Sequence, residues 1–183
     1  VLAPVAYPGE GRGMPGGARQ MSEDADILHQ FDSLVPKPVY YERGNDLDVV
    51  DDASEIKGYF QARDTDLKEL PEHLQHYVAA DETIGCITST RLDEQLRSKG
   101  HGQQMYLWAL AQLPYDWFYS YRISGSAKTA RQKLLVNGLI EIRGDENNNI
   151  IRLTSAGLKA AETISRQFAD ESPSGERKPG YHW

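Results

Sequence analysis

The stretch Ser126 to Gly157, SAKTARQKLLVNGLIEIRGDENNNIIRLTSAG, carries the strongest local pattern in the chain, and its reading decides the fold. Ala127 to Asn137 consists largely of good helix formers, introduced by Ser124-Gly125-Ser126. Gly138 follows, in the position that ends a helix with a left-handed backbone. Leu139 to Arg143 and Ile150 to Thr154 are strand-like runs flanking Gly144-Asp145-Glu146-Asn147-Asn148-Asn149. That run of turn formers closes a hairpin with a polar tip. Ser155 to Phe168 then reads as an amphipathic helix carrying Leu158, Ala161 and Ile164.

Working outward, Gln103 to Leu113 (QQMYLWALAQL) is strongly apolar and stops at Pro114, which cannot continue a helical ladder. It reads as a buried helix. Tyr115 to Ile123 (YDWFYSYRI) stays open between a strand, favoured by aromatic alternation, and a short helix capped by Asp116. Further upstream, Val39 to Glu42 and Leu47 to Val50 read as extended segments around the turn-like Arg43-Gly44-Asn45-Asp46. Asp51-Asp52-Ala53-Ser54 reads as the cap of a helix reaching Ala62, and Asp66 to Tyr77 as another helix containing Pro71. Tyr77 to Ala80, the Asp81-Glu82 turn and Thr83 to Thr90 read as a hairpin.

Composition sets outer bounds. The chain has 183 residues, 39% hydrophobic and 26% charged, which excludes a collagen-like chain, a coiled-coil rod and a wholly disordered one. No apolar run approaches the roughly 18 residues of a membrane-spanning helix, and no secretory signal pattern is present, so a cytoplasmic location is expected. A single cysteine, Cys86, rules out an internal disulfide and a cysteine-based zinc site. His73 and His76 have the i, i+3 spacing of a metal pair but lack a third ligand nearby, so no metal is expected. No nucleophile-elbow context surrounds any serine, Cys86 reads as a small core residue, and no catalytic residue is assigned.

The charge is unevenly spread. The chain carries a net −7, yet residues 22–84 hold 16 acidic against 5 basic residues, whereas 85–153 hold 6 against 9. The basic part is where an anionic partner is expected. On a helical wheel, Ala127, Ala130 and Leu134 form one packing stripe, with Lys128, Thr129 and Gln132 opposite and Arg131 and Lys133 at the flanks. Such side chains suit DNA, since Arg and Lys donate to guanine or phosphate and Gln pairs with adenine.

Taken in order, residues 103–168 resemble the winged helix-turn-helix domains of transcriptional regulators. The resemblance rests on Ser126-x-x-Thr129-x-Arg131, on Leu134-Leu135-x-x-Gly138-Leu139-Ile140-Glu141, and on Ile151-Arg152-Leu153-Thr154-x-x-Gly157. It covers about a third of the chain. It implies a recognition helix before Gly138, a wing at the hairpin, and a closing helix that supports a homodimer. Double-stranded DNA would then be bound by Ser126, Lys128, Thr129, Arg131, Gln132, Lys133, Arg143 and Arg152. The aromatic 115–123 segment fits the motif's short second helix poorly.

A second resemblance competes with the first. Arg97-Ser98-Lys99-Gly100-His101-Gly102, directly before a helix, resembles the Arg/Gln-x-x-Gly-x-Gly/Ala loop of GNAT N-acetyltransferases. There, backbone N–H groups at a helix start cradle the pyrophosphate of acetyl-coenzyme A, and glycines allow close approach. The Thr83 to Leu92 strand before the loop, a strand at Tyr115 to Ile123, and the Ala130 to Gly138 spacing agree with it. Ser98 departs from the usual glycine, and Leu153-Thr154-x-x-Gly157 has no role in it. This alternative makes Arg97, Lys99, Gly100 and Gly102 the cofactor-binding residues and acetyl-coenzyme A the cofactor.

The expectation from sequence is therefore an α+β chain whose carboxy-terminal winged helix-turn-helix follows a small acidic α/β region. Residues 1–21 form a disordered tail, 22–95 the acidic region, 96–168 the winged-helix domain and 169–183 a second disordered tail. Residues 1–20 contain five glycines and three prolines, and Met21 is a candidate start of the folded reading frame. The expected activity is operator occupancy by a repressor-type transcriptional regulator without a cofactor, with a protein partner for the acidic region. N-acetyl transfer from acetyl-coenzyme A is the alternative.

Overall fold

The computed structural model describes residues 34–97, 100–166 and 177–178. β1 (Val35–Tyr41) and β2 (Gly44–Val50) form a tight hairpin through Glu42-Arg43. They are followed by β3 (Ile56–Thr65), the one-turn helix α1 (Glu72–Gln75), β4 (Ile84–Leu92), α2 (His101–Gln112) and β5 (Trp117–Tyr121). The chain closes with α3 (Gly125–Val136), β6 (Ile140–Gly144), β7 (Asn148–Leu153), α4 (Ser155–Arg166) and the two-residue β8 (Arg177–Lys178). All the strands join one sheet in the order β6-β7-β5-β4-β3-β2-β1-β8. Neighbours are antiparallel except β4 with β5 and β1 with β8.

One face of the sheet carries the main core. α2 lies across it with nine of the ten residues from His101 to Leu110 buried, all but Gly102, and α3 and α4 pack beside it. Phe60 on β3 meets Tyr106 and Phe118 edge to face, with centroids 5.2 and 5.9 Å apart. α2 stops at Pro114 as read from the sequence, and the Leu113 N–H donates to Ala109 O. On the opposite face, Leu70, Leu74 and Val78 from the β3–β4 connection cover Ile84, Cys86, Trp117, Tyr119 and Ile150. Cys86 is thus a core residue, and burial pushes its thiol pKa up.

Two upstream expectations are corrected. The helix expected after Asp51 is a strand: Gly58, Phe60 and Ala62 alternate inward along β3. Asp51 does make cap-like bonds, its Oδ1 accepting from the Ala53 and Glu55 N–H groups at 2.9 Å, but they stabilise a turn in which Ser54 has φ 63°. Likewise Asp66 to Tyr77 is not one helix. A 3-10 turn at Leu67–Glu69, boxed by the Asp66 N–H donating to Glu69 Oε1, gives way at Pro71 to α1. Tyr77 to Ala80 is a turn, so β4 has no hairpin partner on that side.

The carboxy-terminal winged helix-turn-helix is also corrected. Its second helix would lie at 115–123, but that segment is β5, paired inside the sheet with β4 and β7. The supposed wing, β6–β7, does not stand apart. β7 pairs along its inner edge with β5, Phe118 opposite Ile151 and Ser120 opposite Asn149, so the hairpin is the end of the same sheet that begins at β1. A wing free to reach DNA and a strand locked in the core are mutually exclusive roles for β7.

One irregularity organises the rest. β4 and β5 are parallel partners only from Ile84 with Trp117 to Cys86 with Tyr119. Beyond Cys86, β4 follows β3, where a bulge sets Gln61 opposite Ser89 and Ala62 opposite Ile87, leaving Thr88 as the extra residue. The Thr88 hydroxyl donates to Gln61 O at 3.3 Å and holds the bulge to β3. Bulges bend a strand and increase its twist, and here that carries β4 away from β5. The β4–β5 pairing ends at Cys86 and Tyr119, the apex of a split beyond which β4 runs on to Leu92 and β5 to Tyr121 without pairing to each other.

Candidate functional site

The mouth of the split is built by the chain between β4 and α2. Leu96 is buried and anchors the 3-10 turn Glu94–Leu96, while Arg97 Nε donates to Leu92 O at 2.8 Å and ties the loop back to the end of β4. Gly100 then enters α2 as its N-cap with φ 89°, a left-handed conformation that costs any L side chain about 1 kcal/mol or more. The first hydrogen bond of the helix is Gln104 N–H to Gly100 O at 3.2 Å. Helix geometry gives the N–H groups of residues 101–103 no acceptor within the helix, and the macrodipole adds positive potential there. At Gly102 the space a Cβ would occupy holds only the Ala130 Cβ, 3.9 Å away. That is an ordinary contact, so Gly102 faces α3 and a small side chain there meets no clash. Gly100 and Gly102 fit the requirements of an anion cradle, and they are the residues that would hold a pyrophosphate.

Toward the apex, the helix-covered side of the split is floored by polar side chains. Tyr106 on α2 shares a hydrogen bond with Thr90 on β4 and lies beside Arg131 on α3. Arg131 Nη2 donates to Asn149 Oδ1 on β7, and Asn149 Nδ2 donates to Asp145 O at 2.8 Å. This chain runs from β4 through α2 and α3 to β7. Arg131 is only 3% exposed, and burial lowers its pKa against the opposing effect of Tyr106.

The opposite face of the sheet is different in character. Tyr119 and Tyr121 stack 5.8 Å apart on β5, with the Tyr119 hydroxyl donating to Asn148 Oδ1 at 2.8 Å. On β2, Asp46 is buried beside Gln61 and Tyr41. Desolvation, reinforced by Asp48, pushes its pKa up to about 7 against the hydrogen bonds from Tyr41 and Gln61.

The residues assigned to DNA contact do not form one surface. Arg131, placed at a flank by the wheel, points into the protein. Arg152 is engaged by Glu141 and by Glu82 at 3.4 Å, and its guanidinium lies 4.1 Å over the Trp117 ring. Arg143 donates to Ile142 O, reaches Glu141 Oε2 at 3.5 Å and lies over Tyr77 on the opposite face of the sheet from α3. Thr129 donates back to Gly125 O at 3.0 Å, and Ser126 faces Ser124 at the helix cap. Gln132 is exposed, and Lys128 and Lys133 are half-buried. Of the alternative set, Arg97, Gly100 and Gly102 converge at the mouth of the split, and Lys99 lies outside the described residues. His73 and His76 go separate ways, one toward Asp145 at 3.8 Å and the other stacked on Tyr77.

Sequence reading missed Tyr106, Ser120, Asn149 and Asp46. Asp46 reads as part of the turn-like spacer Arg43 to Asp46, whereas it lies on β2. The others acquire meaning from the β5–β7 register and the seating of α2, which no local pattern encodes.

No protein-family model matches the chain, and no curated protein matches it. Solved structures do. A GNAT-family acetyltransferase from Streptococcus agalactiae is similar with a TM-score of 0.42 and 12% identity, over 80% of this chain and 76% of that one. Spermidine N-acetyltransferase from Vibrio cholerae, in complex with coenzyme A and spermine, gives 0.41 and 12% over 79% and 80%. A GNAT-family N-acetyltransferase from Escherichia coli, in complex with coenzyme A, gives 0.39 and 15% over 74% and 69%. The transcriptional-repressor reading is withdrawn together with the winged helix, since β7 is paired inside the sheet with β5.

Proposed function

We propose that the chain is a coenzyme A-dependent acyltransferase of the GNAT type, with an amine as acceptor. The observation that carries this reading is the coincidence of two features in one place. The pairing of the central parallel strands ends at Cys86, and near the far end of β4, to which Arg97 is tied, α2 begins with glycine at Gly100 and Gly102.

Each part has a physical task. Residues 101–103 offer N–H donors and helix-dipole potential to phosphate groups, and Gly102 lets the backbone approach them. β4 and β5 beyond the apex lack each other as partners, so their facing backbone groups are available to an extended arm that carries amides, as a sheet edge is to an added strand. When bound, acetyl-coenzyme A supplies a thioester carbonyl that an amine attacks, with the coenzyme thiol as leaving group. N–H groups on β4 above the apex are suited to stabilise the oxyanion of that addition.

Release of free thiol from acetyl-coenzyme A, followed over a panel of primary amines, tests the reading. Amine-dependent release that is lost in the Gly102→Val variant supports it. An enzyme inert toward every amine, with no affinity for the coenzyme, overturns it.

A further inference from the structure

We infer that the split selects an acyl group ending in a carboxylate, as in the monothioester of a dicarboxylic acid, and that Arg131 receives that carboxylate. The inference rests on the proposed coenzyme site and specifies its donor.

The starting observation is an uncompensated buried charge. Arg131 is 3% exposed, yet its partners are neutral: the amide of Asn149 and the neighbouring phenol of Tyr106. Among the described residues Tyr106 is the one titratable group acting on it, and its Nε has no hydrogen-bond partner. A guanidinium withdrawn from water is normally paired with a carboxylate, because the desolvation of the charge is otherwise uncompensated. By contrast Arg152, though partly exposed, has two carboxylates, Glu141 and Glu82.

The second observation concerns neighbouring groups. Ser120 Oγ and Gln103 Oε1 are also buried without a partner. Ser120 sits directly opposite Asn149 in the β5–β7 register, on the same sheet face as Phe118, so its hydroxyl shares the Arg131 side of the sheet. Gln103 lies one helical turn before Tyr106 on the same stripe of α2. A ligand carboxylate meeting Arg131 Nε and the Ser120 hydroxyl would satisfy two buried donors at once.

Position identifies which end of the ligand this is. Ser120 is the first residue of β5 past its last pairing with β4, so the cluster lies at the apex. A coenzyme whose phosphates lie at Gly100 and Gly102 and whose arm runs down the split, about 20 Å along β4 from Leu92 to Cys86, presents its acyl end there. Arg131 and Ser120 belong to the helix-covered face that also carries the α2 N-terminus, the donor's side of the sheet.

The test is a binding series on the full chain by calorimetry, with coenzyme A, acetyl-coenzyme A and succinyl-coenzyme A. Succinyl-coenzyme A is expected to bind at least tenfold more tightly than acetyl-coenzyme A, with the preference lost in Arg131→Met and reduced in Ser120→Ala. Should Arg131→Met fail to fold, the wild-type preference and Ser120→Ala still decide. Equal binding of the two thioesters overturns the inference and leaves the coenzyme reading standing. Binding of none of the three overturns both.

Discussion

Gly102→Ala separates fold from function more cleanly than any other single change in this chain. The added Cβ meets only the Ala130 Cβ, at 3.9 Å, an ordinary contact, so nothing in the protein has to move. Position 102 is in the first turn of α2 and has no positive φ, so alanine is a better helix former there by up to about 1 kcal/mol. Urea denaturation should therefore show unchanged or slightly raised stability. Affinity should move the other way, because a methyl in the first turn of α2 crowds a phosphate held by the N–H groups of residues 101–103. Losing one charge-assisted hydrogen bond costs about 1.5–3 kcal/mol, which corresponds to roughly 10- to 100-fold weaker binding of coenzyme A by calorimetry. A variant that is as stable as the wild type and binds coenzyme A equally well would refute the cradle. A variant that unfolds would show that the space at Gly102 is not what the structure describes.

Two further changes test the sheet itself. Gly85→Ala would drive a Cβ into the Tyr115 ring, with contacts of 2.4 to 2.7 Å, while that ring is held by hydroxyl bonds to Asp64 at 2.6 Å and from Asn45 at 2.7 Å. Destabilisation of about 1–3 kcal/mol is expected in urea titration, and a neutral result would contradict the seating of Tyr115 across β4. Asp46 has a folded-state pKa raised from 3.8 to about 7, so the folded chain holds a proton there that the unfolded chain has lost. Its contribution to stability is present below about pH 4 and is lost progressively as pH rises toward 7. Asp46→Asn should flatten that decline between pH 4 and pH 7. An unchanged slope would mean that the Asp46 carboxyl is not buried as described.

Much of the carboxy-terminal half is written in local chemistry. Pro114 stops α2, Gly138 takes φ 72° after α3, and Gly144 to Asn149 turns β6 into β7, each for reasons carried by a few adjacent residues. The same residues misled about the fold because helix, hairpin and closing helix occur in that order in a winged domain too. What separates the two architectures is the partner of β7, and Phe118 opposite Ile151 is a pairing across 33 positions of sequence. Asp51 shows a related limit, since one side chain accepting two backbone N–H groups serves a turn as well as a helix cap. The loop at Arg97 to Gly102 was legible because glycine spacing before a helix has a direct backbone meaning. Arg131 was not, because a helical wheel places it at the boundary of the packed stripe and only the reach of Asn149 from β7 draws it inside.

The most direct measurement is acetyl-coenzyme A titrated into the full chain by calorimetry, with mixed-sequence duplex DNA titrated in parallel at low and moderate salt. Saturable coenzyme binding in the micromolar range, with no salt-dependent heat from DNA, is the result this account predicts. DNA binding that weakens with salt, together with no coenzyme heat, would contradict it.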